Sequence, residues 1–208
     1  MSTKTSKSEL IGNINETLEV VKLGINLYKN GTPAEKKAGI RNVVVFGRAV
    51  TNSIQKYKGL VDSKEFDIWY IQWQNLMKQD LGMKFLYKER SVILKEGILR
   101  TGTSFFINKL TPKDFEEYCK LAPPNAISFF MGDNDGGIGF IVAGEDGKET
   151  KYYVELPKTD KFSINLEMKN VPTYTTYDGT LIESTEDLFD YYYQFLGVMV
   201  KDLELKFP

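Results

Sequence analysis

Asn30-Gly31-Thr32-Pro33-Ala34-Glu35 closes one helix and opens the next. A glycine such as Gly31 stops a helix, a hydroxyl at Thr32 followed three residues later by the carboxylate of Glu35 forms a capping box, and Pro33 suits a first helical position, whose amide needs no partner. Upstream of this boundary, Ile11, Ile14, Leu18, Val21, Ile25 and Tyr28 recur at helical intervals and predict an amphipathic helix from Ser8. Downstream, Ile40, Val43, Phe46, Val50, Ile54 and Tyr57 predict a second helix reaching the vicinity of Gly59. A third is expected from Ser63, with Phe66, Trp69, Tyr70, Trp73, Leu76 and Met77 on one broad face. The pattern slips at Asp80-Leu81-Gly82, and Phe85, Leu86, Ile93 and Leu94 predict a fourth helix, or a kinked continuation, ending near Gly97. Short links between long helices predict an antiparallel four-helix bundle over residues 8–100.

The period then changes. Thr111-Pro112 precedes a short helical stretch near 112–120, and Pro123-Pro124 cannot lie inside a helix. Three β-type runs, Ile127 to Met131, Ile138 to Ala143 and Tyr152 to Leu156, are separated by the turn sequences Asp133-Asn134-Asp135-Gly136-Gly137 and Glu145-Asp146-Gly147-Lys148. They predict an antiparallel meander, with Phe162 to Leu166 as its extension, so that the sheet occupies about 126–168. Ser184-Thr185-Glu186-Asp187 opens a last helix, about 185–206, whose apolar residues are Leu188, Tyr192, Phe195, Leu196, Met199, Val200 and Leu203. It either covers a face of the sheet or returns to the bundle. The expected class is α+β: a four-helix bundle, then residues 101–208 as a small antiparallel sheet closed by a long C-terminal helix.

The 208 residues contain no histidine, which removes the imidazole-dependent triads, general bases and metal sites from consideration. Cys119 is the single cysteine, so neither an internal disulfide nor a cysteine cluster can form, and a reducing compartment is expected. The polar N-terminus lacks a signal-type apolar stretch and no window is long and apolar enough to span a membrane; a cytoplasmic location without membrane, metal or cofactor is the expectation. Charge is divided: residues 1–100 carry net +7 and residues 101–208 net −8, with all four arginines in the first half. That division provides either a basic face for an anionic partner or attraction between the halves.

Several short patterns resolve into structure rather than chemistry. The acidic loop 133–137 has glycines where calcium ligands belong, and Gly137-Ile138-Gly139 enters a strand instead of opening a helix onto a pyrophosphate. Ser53-Ile54-Gln55-Lys56 lies late in a helix without the companion motifs of a Ser/Lys nucleophile. Cys119 has no base and is expected in the core or half-buried. Tyr191-Tyr192-Tyr193, with Tyr152, Tyr153, Tyr174 and Tyr177, offer flat surfaces for a ligand or partner, although consecutive helical positions point different ways and at least one of the three must be core.

Glu89-Arg90-Ser91-Val92-Ile93-Leu94-Lys95-Glu96-Gly97 sets an arginine, a polar residue and, five positions after the arginine, a second cation before a helix-stopping glycine. Within residues 8–100, the bundle and this segment resemble HEPN domains, whose ribonuclease members carry arginine, a polar residue, a short spacer and histidine. The resemblance implies a helical homodimer and an RNA-processing site at Arg90, Ser91 and Lys95. Lys95 stands where the family has histidine. An ordinary lysine, with a pKa of about 10.4, is protonated near neutrality and cannot take the 2′-hydroxyl proton. Anion binding survives the replacement, because arginine offers a planar fork and lysine a point charge. The alternative structural roles are an Arg90–carboxylate pair within the bundle and Lys95 facing the negative end of the helix dipole.

The function expected from sequence is therefore a non-enzymatic interaction or ligand-binding protein, a degenerate HEPN-type bundle dimerising through its helices, with a protein, RNA or nucleotide partner. Its expected binding residues are Arg90, Ser91, Lys95, Tyr152 and Tyr191. The alternatives are a metal-independent ribonuclease using Arg90 and Lys95, and an oligomerising viral or defence-related component.

Overall fold

Helix starts in this chain are fixed by side chains that accept the first free amides. Ser6/Glu9, Thr32/Glu35, Thr111/Asp114 and Ser184/Asp187 each form a reciprocal capping box, while Asp62 and Asp80 cap two further helices. The computed structural model describes residues 6–107, 111–132, 138–144, 146–154 and 162–208. In chain order its elements are α1 (Lys7–Asn30), α2 (Pro33–Lys56), a single 3-10 turn (Tyr57–Leu60), α3 (Ser63–Gln79), α4 (Leu81–Glu96), β1 (Thr101–Ile107), α5 (Pro112–Cys119), β2 (Ala126–Met131), β3 (Ile138–Ala143), β4 (Glu149–Tyr153), β5 (Phe162–Met168), β6 (Tyr174–Thr175), β7 (Leu181–Ile182) and α6 (Thr185–Lys206). The class is α+β. The chain divides into a helical unit, Met1–Leu99 with Asn170–Pro208, and a sheet unit, Arg100–Lys169.

In the helical unit, α1 and α2 form a hairpin about Gly31-Thr32. Their backbones touch where they cross: a Cβ on Gly39 would stand 2.4 Å from the Gly24 carbonyl oxygen and 2.7 Å from the Tyr28 nitrogen. Most of the expected stripe is buried, with Ile14, Val21, Ile40, Val43 and Ile54 all removed from solvent; Ile11 is half-buried, and Phe46 is exposed because the buried face of α2 runs through Val44 and Gly47 instead.

The helix α6 belongs to this unit, where it packs on α1 and α2, and not to a body made of residues 101–208. The number of long helices in the unit is therefore five among the described residues, rather than the expected four. The physical reason is its breadth of apolar surface: Leu188, Phe189, Tyr191, Tyr192, Phe195, Leu196, Met199, Val200 and Leu203 are all buried, too wide a face for one side of a small sheet. Polar ties hold it at both ends. Near its start, Lys29 reaches Asp190 at 2.7 Å and Glu186 at 3.1 Å. Farther along, the indoles of Trp69 and Trp73 both donate to Oδ2 of Asp202, at 2.7 and 3.0 Å, and the Tyr57 hydroxyl donates to the Phe207 carbonyl at 3.0 Å. The hairpin of β6 and β7 leads into it.

In the sheet unit, β2, β3 and β4 form an antiparallel meander, with a bulge between Ala126 and Ser128; β4 starts at Glu149, earlier than the expected Tyr152, and residues 155–156 of the expected run lie outside the described residues. At its second turn the Gly144 amide donates to the Lys148 carbonyl at 2.8 Å and Gly147 adopts a positive φ, which glycine takes without steric cost. The first expected turn, 133–137, lies outside the described residues, as does Glu145. β5 does not extend the meander. It pairs antiparallel with β1, Thr101 opposite Met168 and Thr103 opposite Leu166. The β-branched and aromatic run of β1 is strand-forming, and its backbone groups require a partner ladder. Tyr118 of α5 and Ile138 make a small core with Phe129, Met131 and Val154. Cys119 is exposed, not packed: Asp114 and Tyr118 form the buried stripe of α5, and Cys119 is turned about 100° from Tyr118.

Candidate functional site

The slip at Asp80 marks a junction. Its backbone amide donates to the Leu76 carbonyl at 3.1 Å to finish α3, while its Oδ1 accepts the Met83 amide at 2.8 Å to begin α4. The same carboxylate accepts hydroxyl protons from Tyr174 of β6, at 2.8 Å, and from Tyr191 of α6, at 3.1 Å. Burial first, and then the Asp80 charge and hydrogen bond, hold both phenols well above the ordinary tyrosine range. Gly82 leaves room for these contacts, since a Cβ there would press on Leu188 Cδ1 and the Tyr174 hydroxyl and displace one of them. The junction thus orients α3, α4 and α6 relative to one another.

Between α2, α3, α4 and α6 lies a cleft of about 420 Å³. Val44, Tyr70, Met83, Leu86 and Tyr192 form its buried lining, and Gln74 and Met77 are half-buried on its α3 wall. Arg48, Lys78, Lys84 and Lys88 bring four cationic side chains to it; among the described residues no carboxylate lines it. Among the described residues, the three lysines make no ion pair with Asp or Glu.

Local geometry fixes the arginine and the tyrosines. Arg48 Nη1 donates to the Thr51 hydroxyl at 2.9 Å, and that hydroxyl donates back to the Arg48 carbonyl at 2.9 Å, within one turn of α2. Gln55 Nε2 donates to the Tyr70 hydroxyl at 2.8 Å. The Tyr192 ring passes so close to α2 that a Cβ on Gly47 would meet its Cε1 at 2.2 Å. Burial pushes the Tyr192 phenol up, against the opposing fields of Arg48 and Arg90. The result is a greasy, aromatic cavity with held positive charge, suited to an anion and supplied with no carboxylate or imidazole base.

The residues expected from sequence are not gathered into one site. Arg90 and Lys95 leave α4 about 140° apart around the helix axis; Arg90 is half-buried on the inner side, where its Nε is buried without an acceptor, and Lys95 is exposed in the last turn. Gly97 closes that turn in the left-handed conformation, and Arg41 Nη2 donates to its carbonyl at 3.0 Å. The Ser91 hydroxyl donates to the Tyr87 carbonyl of its own helix at 3.2 Å. Tyr191 is buried with its hydroxyl given to Asp80, whereas Tyr152, about half exposed, belongs to β4 of the other unit. Of the three consecutive tyrosines, Tyr191 and Tyr192 are both core.

Sequence reasoning missed Arg48, Gln74 and the lysines of the cleft. The spacing of Lys84 and Lys88, four residues apart on α4, was the one available signal. Among the described residues no helix is long and apolar enough to cross a membrane, and no group of three or more His, Cys, Asp or Glu side chains is placed to hold a metal.

Comparison with known families matches residues 27–129, a little under half of the chain, to the family described as bacteriophage lambda protein ea47. The matched stretch runs from the end of α1 to β2 and so takes in three of the four cleft walls, α2, α3 and α4. No curated protein and no solved structure matches the chain.

Proposed function

We propose that this chain is a non-enzymatic binding protein whose helical unit takes an anionic ligand. One observation carries the reading: the side chains gathered at the cleft are cationic, aromatic and apolar, with Thr51 and Gln74 as neutral polar groups and no carboxylate among them, in a chain without histidine. Such a set holds charge and contains neither an imidazole nor a carboxylate, the groups that most often serve as general bases. The separation of Arg90 and Lys95 around α4 supports the same reading of the degenerate HEPN-type motif. Likeness to a bacteriophage protein supports a place among viral components and fixes no activity.

The test is cleavage of labelled single-stranded RNA in excess EDTA by the protein and by Arg90→Ala. The expected outcome is intact RNA at high protein concentration. Products ending in 2′,3′-cyclic phosphate, lost in Arg90→Ala, would establish a metal-independent ribonuclease instead. The homodimer proposed to form through the helices has an apolar candidate face in Ile68 and Ile71, both exposed and three residues apart on α3. Substituting both by Glu is expected to give the monomer mass in light scattering. A dimer that persists would exclude that face.

A further inference from the structure

We infer that the cleft between α2, α3, α4 and α6 is a site for a small phosphate monoester carried on an aromatic body, of the size of a nucleoside monophosphate. The inference rests on the binding reading above and names the chemistry of its ligand. Four features of the cavity lead to it.

Its volume, about 420 Å³, falls in the lower part of the range of small-molecule sites, about 300–1,000 Å³, and suits one compact molecule. Its charge exceeds what a single carboxylate requires: Arg48, Lys78, Lys84 and Lys88 line it without an acidic residue among them, which favours a dianion. Arg48 is held on Thr51 through one nitrogen, so its guanidinium is positioned before the ligand arrives and its remaining donors form a fork for phosphate oxygens. Tyr70, Tyr87 and Tyr192, together with Met77 and Met83, line the cavity with aromatic and thioether surface suited to an apolar, aromatic body, and the Gln74 amide offers a donor group and an acceptor for its polar edge.

The experiment measures binding to the full chain by isothermal calorimetry with adenosine 5′-monophosphate, adenosine, inorganic phosphate and a 5′-phosphorylated hexanucleotide. The monophosphate is expected to bind at least about tenfold more tightly than adenosine or phosphate alone, because base and phosphate are held together only in the ester. Arg48→Gln is expected to weaken it about tenfold or more, and so is the double variant Lys84→Glu with Lys88→Glu, whose exposed positions carry little folding risk. Lys22→Glu, exposed on α1 and outside the cleft, is expected to leave the affinity unchanged.

Equal binding of the monophosphate and the hexanucleotide would identify the terminus of a strand as the source of the phosphate; preference for the monophosphate would identify a free nucleotide. Either supports the site. A monophosphate that binds no better than adenosine, or whose binding survives both cleft variants, overturns it. Should Arg48→Gln fail to fold by circular dichroism, the lysine pair decides. RNA cleavage in EDTA would defeat the non-catalytic reading while leaving these affinity ratios to judge the ligand chemistry.

Discussion

The helical unit and the sheet unit are built to different depths. In the first, Ile14, Leu196, Met199 and Leu203 are completely removed from water, and buried or half-buried polar ties join residues more than a hundred positions apart, as in Asp80 with Tyr191 and Trp69 with Asp202. In the second, every residue of β4 is exposed, and the described buried apolar side chains are fewer: Tyr118, Ile138, Phe140, Leu166 and Met168. Side chains can be held ready for a ligand only where their supports are themselves fixed. The cleft, with its pre-placed arginine and tyrosines, lies in the unit that meets this condition, while the sheet offers surface residues such as Tyr152 and Tyr153.

The contrast is broken most directly by cavity-forming substitutions. Leu196→Ala, at a fully buried position on α6, is expected to cost about 4 kcal/mol, and Ile138→Ala, in the shallow cluster, about 2 kcal/mol. Urea denaturation of each variant checks the difference. Equal losses would mean that the sheet unit packs as firmly as the helical one.

Next in size is Asp80→Ala. It removes a helix cap, worth about 1 kcal/mol, and leaves two phenolic donors without their acceptor, so the expected loss is about 3 kcal/mol in all. Asp80→Asn retains a capping oxygen and is expected to lose less. If both variants unfold at the wild-type urea concentration, the junction does not join α3, α4 and α6 in the way its geometry indicates.

Much of this organisation is local and was legible. Thr32/Glu35 and Ser184/Asp187 announce their helices because a cap is written within four residues, and the apolar spacing of α6 identifies buried positions without reference to any partner. Distant choices were not legible. The pairing of Thr101–Ile107 with Phe162–Met168 joins segments about sixty residues apart, and nothing within either segment selects the other. Asp80 read only as an interruption, since its second role depends on tyrosines that the fold brings from Tyr174 and Tyr191. The candidate site shows the same limit. Arg90 and Lys95 are near in sequence and separated by helical geometry, whereas Arg48, Lys78 and Lys84 come from three helices and meet only after packing.

The glycines sharpen the comparison at a smaller scale, within the helical unit itself. Gly47→Ala puts a methyl into the Tyr192 ring and is expected to destabilise by about 2 kcal/mol, while weakening any ligand held in the cleft. Gly12→Ala, at an exposed position of α1 with open space around it, is expected to stabilise by about 0.5–1 kcal/mol through helix propensity. Thermal melts of the two variants should move in opposite directions. A neutral Gly47→Ala would show that Tyr192 can give way.

Among the destabilising substitutions the smallest effect at neutral pH belongs to Tyr191→Phe, and alkaline conditions reveal its origin. Burial holds Tyr57, Tyr174, Tyr191 and Tyr192 above the ordinary tyrosine value in the folded chain, with Asp80 adding to the shift of Tyr174 and Tyr191. The unfolded phenols ionise near pH 10. A group whose folded pKa is raised gives stability that is complete below the unfolded value and falls as pH rises through the interval up to the folded one. Stability should therefore hold to about pH 9 and decline above about pH 10, as the unfolded chain releases protons that the folded chain retains. Tyr191→Phe should cost about 1 kcal/mol at pH 7 through the lost hydrogen bond, yet show a shallower decline from pH 9 to 11 because one contributor to that release is gone. Urea unfolding across this range, with tyrosinate absorbance followed in parallel, measures both terms. An unchanged alkaline slope in Tyr191→Phe would mean that the Asp80 junction opens before its phenols titrate.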